Sequence, residues 1–186
     1  MAPNPFSTHC WSAGTLPFLC SEDNESVASL LKKSLQLPVC QIVGTHGSGK
    51  STLLLELLKQ YKSRSKGVRF DYLFFNDQHR QIPHDLTFQA NQIFFVDGVE
   101  QLSFWNRFWL LSRMRRVIFT VHDPVWFVPV LYQTQPQFSI FVRLVRRLSP
   151  DFLEEPMLRQ IYDRSAGNFR RAFFELYDYW ENNPPM

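Results

Sequence analysis

Cysteine is scarce in this 186-residue chain: Cys10, Cys20 and Cys40 are three in number, widely spaced and without a CxxC pair. A disulfide framework and a standard zinc site are therefore not expected. His9 beside Cys10, with Cys20 further on, has metal-ligating residue types but not the spacing of a zinc centre. Long apolar runs are missing too. The longest greasy stretch, Val117 to Leu131, is interrupted by His122, Asp123 and Pro124, short of the ~18 residues a membrane span needs. The opening Met1-Ala2-Pro3-Asn4-Pro5-Phe6 lacks the basic start and apolar centre of a secretory signal. A cytoplasmic protein that does not engage membranes is expected. Neither charge dominates: 20 Lys and Arg oppose 17 Asp and Glu, a net +3. That balance neither demands nor repels a nucleic-acid partner. Internal repeats and low-complexity tracts are absent.

What is present is enough for one domain with a small appendage, and a chain this long buries a core without disulfides. Hydrophobic residues make up 45% and aromatics 16%, with eighteen Phe; an aromatic-rich core is the expected destination, ahead of a stacking surface. Only the ends, Met1–Asn4 and Asn182–Met186, read as loose. Residues 5–24 read as an irregular arm, and Ser26–Gln36 as a first helix with Val27, Leu30, Leu31 and Leu35 at helical spacing. Four apolar runs follow: Val39–Val43, Phe70–Phe75, Ile93–Val96 and Val117–Val121. Each is nearly continuous, as in parallel strands covered on both faces. Ser51–Lys62 and Val99–Met114 are helical patterns, the latter with Phe104, Phe108 and Leu111 on one stripe. The gap Asn76–Asn91 predicts a short helix or none. Asp123–Gln137 ends in a possible fifth strand or loop, and three helices are expected at Phe138–Leu148, Pro150–Arg164 and Asn168–Asn182, with Gly167 as C-cap and Asn168 as N-cap candidates. Strands alternating with helices imply an α/β fold on a parallel sheet.

The strongest chemical signal is Gly44-Thr45-His46-Gly47-Ser48-Gly49-Lys50-Ser51-Thr52, which fits G-x-x-x-x-G-K-[ST] between an apolar run and a Leu-rich helix. Glycines let successive backbone N–H groups converge on phosphate oxygens, and a helix N-terminus adds partial positive charge. Lys50 would neutralise outer phosphates and the Ser51 hydroxyl would coordinate Mg²⁺. Ile93-Phe94-Phe95-Val96-Asp97 ends an apolar run in a carboxylate, making Asp97 the second candidate for Mg²⁺; the plainer role is a strand-end cap. Glu100 is placed either to orient a water for attack or simply as an acidic residue in a helix's first turn. Lys59, Lys62, Arg64, Lys66 and Arg69 read first as a hydrated helix end, and only second as a grip on nucleic acid.

In this order of motifs, residues 37–182 resemble the AAA+ and STAND branch of P-loop ATPases, whose fold is an ASCE-type parallel sheet flanked by helices with a small C-terminal helical lid. The resemblance implies an arm and helix at 1–36, a nucleotide-binding core at 37–148 and a lid at 149–186. It implies ATP and ADP as ligands, Mg²⁺ as cofactor, Asp97 as the Walker-B residue and hydrolase activity on ATP. Val117-Ile118-Phe119-Thr120 is similar to the sensor-1 strand, so Thr120 would touch the γ-phosphate or water, while His122 stands where STAND proteins commonly have arginine. Gly167-Asn168-Phe169-Arg170 resembles the sensor-2 motif, with Arg170, or its neighbour Arg171, reaching back to the nucleotide. Asn4-Pro5-Phe6 resembles an arm that would lie near the adenine. Two departures stand out. Asp97-Gly98-Val99-Glu100 replaces the usual Asp-Glu pair, and Thr120 to Val142 contains no Lys or Arg to serve as an arginine finger, which disfavours a hexameric ring. A nucleotide switch with a protein partner is the leading expectation. Its rivals are a small-molecule kinase using Asn76-Asp77, and an ATP-binding interaction module without catalysis.

Overall fold

A strand that is apolar at every position must be covered on both faces; residues 93–96 and 117–121 meet that expectation, whereas the run expected at 70–75 falls on an edge strand that stays partly exposed. The computed structural model describes residues 3–21 and 25–183; Met1, Ala2 and residues 184–186 of the presumed loose ends lie outside them. The strands β1 (Val39–Val43), β2 (Arg69–Phe74), β3 (Gln92–Asp97), β4 (Val117–Val121) and β5 (Val130–Gln133) form one 5-stranded sheet, order β2-β3-β4-β1-β5. Every pairing is parallel. Residues along β3 and β4 are buried without exception, and they alternate between faces. Ile93, Phe95 and Ile118 pack with Cys40, Ile42 and the helices α2 (Val27–Leu35) and α3 (Lys50–Arg64). Phe94, Val96, Phe119 and Val121 turn the other way, toward Leu110 of α4 (Phe104–Arg113) and Met114.

A third cluster joins α5 (Phe138–Leu148), α6 (Glu155–Arg164) and α7 (Phe169–Asn182). Phe6 of the N-terminal arm is wholly buried in it, 5.1 Å from Phe152. Trp11, in the short helix α1 (Thr8–Trp11), stacks on Phe173 at 5.4 Å and donates its indole N–H to the Phe6 carbonyl at 2.7 Å. The arm thus ties the sheet's beginning to the helices at its end. Among the described residues no helix is long and apolar enough to cross a membrane.

The helical pattern at 99–114 breaks in two. Val99–Gln101 is a single 3-10 turn, Leu102 is extended, and Ser103 caps α4 by accepting from the Asn106 N–H. This rotates Leu110 and Met114 onto the sheet and splits the expected stripe: Phe104 is 71% and Phe108 60% exposed, while Leu111 packs half-buried against the core. Trp105, Trp126 and Phe127 are exposed as well. The aromatic surplus therefore divides between core and surface instead of filling the core alone. The helix expected from Pro150 begins at Glu155, where Pro156 takes a first-turn position that requires no N–H. Between Asn76 and Asn91 there is no helix.

Two outcomes check this packing. Phe95→Ala, at a fully buried position, is expected to cost about 3–5 kcal/mol of stability, whereas Trp126→Ser stays within about 0.5 kcal/mol, both by urea denaturation. Cys40 gives a pH signature: burial pushes its thiol up to about 12, against the pull of Arg116 and Lys33. Above the ordinary thiol range the unfolded chain releases a proton that the folded chain keeps, so stability falls as pH rises. Between about pH 7.5 and about pH 9.5 this contributes a loss of about 1 kcal/mol, and Cys40→Ala removes it.

Candidate functional site

Parallel strands all end on one edge, and the chain places its chemistry there. After Val43 the backbone turns through Gly44–Gly49 into α3. Gly47 and Gly49 sit at φ +71° and +95°, which side-chain-bearing residues rarely adopt. Gly44 has a different reason: a Cβ there would lie 1.9 Å from Thr134 Oγ1. Ser48 Oγ donates to the Thr45 carbonyl at 2.8 Å and is hydrogen-bonded to Thr134 Oγ1 at 2.6 Å. Thr134, just past β5, is fixed in turn through its own N–H to the Val43 carbonyl at 2.8 Å. Neighbouring strands thus hold the turn in shape. At its end, α3 starts without a side-chain cap at Gly49, and a helix start of that kind offers its first N–H groups to an anion.

Lys50 is 8% exposed. Its ammonium donates to the Gly44 carbonyl at 2.6 Å and the Thr45 carbonyl at 2.9 Å. Burial holds its pKa below the usual lysine range; Glu100 and Asp97 pull it back up and Arg170 works with burial. Asp97, 4% exposed at the tip of β3, accepts from Thr120 Oγ1 at 2.6 Å and from the Tyr72 hydroxyl at 3.2 Å. Burial, with the Asp97 charge and hydrogen bond, raises the Tyr72 phenol far above its ordinary value, so it stays a donor. Thr120 also accepts the Gly98 N–H at 2.9 Å. Its one proton goes to the carboxylate, so in this structure Thr120 orients Asp97. Glu100 meets His122, Oε1 to Nε2 at 3.2 Å.

Lys50, Asp97, Thr120, Glu100 and His122 line one cavity of about 800 Å³ together with the rest of His46–Thr52 of the motif; Gly44 and Thr45 stand behind it, where their carbonyls hold Lys50. Trp11, Phe18 and Phe173 add an apolar lining, Phe18 lying against the glycine turn, 3.4 Å from where a Cβ on Gly49 would stand. Asn4, Pro5 and Phe6 are not part of the lining; the arm contributes Thr8 and residues from Trp11 to Leu19 instead. Arg170, exposed at the start of α7, lies on the rim. Asn168, the N-cap that accepts from the Arg171 N–H, has its Oδ1 where a Cβ on Gly47 would stand, 2.0 Å away. The next amide, Phe169 N–H, donates to the Gly47 carbonyl at 3.3 Å. The start of α7 is therefore seated on the glycine turn.

Sequence reasoning missed Thr134 and Tyr72. Neither carries a motif; only the strand order, which puts β5 beside β1 and β2 beside β3, brings them in. His122 was visible by position but not as a partner of Glu100. Among the described residues no group of three or more His, Cys, Asp or Glu side chains is arranged to hold a metal ion. No protein-family model matches this chain, and no curated protein matches it in sequence.

The arrangement places one cation, uncapped helix amides and a buried carboxylate around a space open to an anion. Gly47→Ala tests the seating of α7: the added methyl meets Asn168 in a backbone region already strained for alanine. The expected loss is about 1–3 kcal/mol, and the Gly47→Ala/Asn168→Gly double variant recovers part of it, by thermal denaturation.

Proposed function

We propose that the protein binds ATP with Mg²⁺ in this cavity and hydrolyses it slowly, acting as a nucleotide switch read by a protein partner. The observation that carries the reading is the convergence of Lys50, the uncapped start of α3 and the buried Asp97 on one cavity. The strand order supports it: β4 lies between β1 and β3, as the ASCE resemblance implies. The helical cluster α5–α7, seated on the glycine turn through Asn168 and Phe169, is consistent with a lid.

The donor set fits magnesium. Asp97 is a buried carboxylate with no ion pair among the described residues, and Ser51 lines the same cavity. One carboxylate and one hydroxyl, completed by phosphate oxygens and water, is the usual way a protein holds Mg²⁺. When bound, the ion would neutralise charge on the β- and γ-phosphates. The chain's own residues would do the rest. Lys50 and the loop N–H groups grip the phosphates, Thr120 and Tyr72 fix the Asp97 carboxylate, Glu100 accepts a proton from water, and Arg170 approaches from the rim. The apolar lining at Trp11 and Phe18 is the surface left for the base.

The kinase reading is less favoured: Asn76 and Asp77 line the cavity, but the Asp77 carboxylate is 82% exposed and already paired with Arg80, an environment that does not prepare a base. A binding module without catalysis differs from the proposal only in the fate of the phosphate, so turnover decides between them.

Calorimetry checks the reading. Lys50→Ala should weaken Mg-ATP binding at least tenfold, about 1.4 kcal/mol. Asp97→Asn should retain metal-free ATP binding but lose the gain brought by Mg²⁺. Unchanged Mg-ATP affinity in Lys50→Ala overturns the assignment.

A further inference from the structure

Glu100 and His122 follow the tips of β3 and β4, which are neighbours in the sheet, and this register brings them together. One carboxylate oxygen, Oε1, stands 3.2 Å from His122 Nε2. The other, Oε2, is buried and has no hydrogen-bond partner among the described residues. Both residues line the cavity that holds Lys50. The turn that carries Glu100 is pinned from α4, where Arg107 Nη2 donates to the Glu100 carbonyl at 3.2 Å. That contact fixes the backbone and leaves the carboxylate to His122.

His122 is itself held from the glycine turn. The His46 ring lies edge-on against it, with centroids 3.7 Å apart. Burial, Lys50 and His46 hold the His122 imidazole below its ordinary pKa, and Glu100 and Asp123 oppose them. A neutral imidazole with its proton on Nε2 is a donor to Oε1. A carboxylate steadied at one oxygen and bare at the other is a directed base.

We propose that His122 is a positioning residue for Glu100, holding Oε1 so that Oε2 takes the proton of the attacking water, and that His46 ties this pair to the phosphate-binding turn. The inference rests on the ATPase reading above. In the step it serves, the water oxygen bonds to the γ-phosphorus while the bond to the bridging oxygen breaks and its electron pair leaves with ADP. The water's proton passes to Glu100 Oε2 and from there to solvent. His122 keeps its own proton throughout.

The test uses the full chain with Mg-ATP and compares wild type, His122→Ala, His122→Gln and Glu100→Gln. Each variant is first checked for an unchanged thermal transition. His122→Ala is expected to lower kcat about tenfold or more with Mg-ATP affinity within about twofold, and His122→Gln, which retains a side-chain N–H donor, to recover much of that loss. Independently of turnover, NMR titration should show the His122 imidazole pKa falling further in Glu100→Gln, because the carboxylate at 3.2 Å is gone and Asp123 alone is left to oppose the lowering. A kcat unchanged in His122→Ala, or a His122 titration indifferent to Glu100→Gln, overturns the inference. Wild-type protein that binds Mg-ATP but releases no phosphate also overturns it while leaving the nucleotide-binding reading intact. A failure to bind Mg-ATP at all removes both.

Discussion

A buried ammonium is expensive to keep, and the site is organised around one. Lys50 has no ion pair among the described residues, and its charge is met by two carbonyls of its own turn, at 2.6 and 2.9 Å. Carbonyl dipoles satisfy the hydrogen bonds but leave the net charge uncompensated. The nearest carboxylates act on it through space without touching it. An anion entering the cavity would supply that missing charge while also meeting the helix N–H groups of α3. On the proposed reading, that anion is the ligand the turn would receive from outside the chain.

The sheet supplies the rest by register alone. Placing β4 between β1 and β3 sets the glycine turn at one side, Asp97 at the other, and Thr120 between them, close enough to orient the carboxylate at 2.6 Å. The same neighbours place His122 against Glu100. Edge strands contribute by reaching inward: Tyr72 from β2 fixes Asp97 at the end of β3, and Thr134 beyond β5 fixes Ser48 of the turn that follows β1. The helices α5–α7 meet the turn through two adjacent positions, Asn168 and Phe169. A change in the turn is thereby felt directly at the start of α7.

Much of this architecture was legible in the sequence because its signals are local. Val39–Val43 and Val117–Val121 read as strands and are strands with those bounds, since an unbroken apolar run leaves few other choices. Phe138–Leu148 likewise matched, and Asn168 capped its helix as its residue type foretells. The errors arose where tertiary context outweighed pattern. The stripe of Phe104 and Phe108 has helical spacing, yet the extended residue Leu102 and the Ser103 cap rotate α4 so that Leu110 faces the core. The resemblance put Thr120 near the γ-phosphate or water; its hydrogen bond to Asp97 at 2.6 Å comes from the neighbouring strand and was not legible from its place at a strand tip. Thr134 and Tyr72 were beyond reach, because their importance comes from strand neighbours distant in sequence.

The account stands or falls on whether an anion settles on the main chain at the start of α3. Backbone amide chemical shifts of the folded protein, followed during a titration with Mg-ADP, measure this directly. The largest changes should fall on Gly47, Gly49, Lys50 and Ser51, with smaller ones at Asn168 and Phe169 as α7 follows the turn. Amides of the turn that do not move at saturating Mg-ADP, or changes confined to another surface, would contradict it.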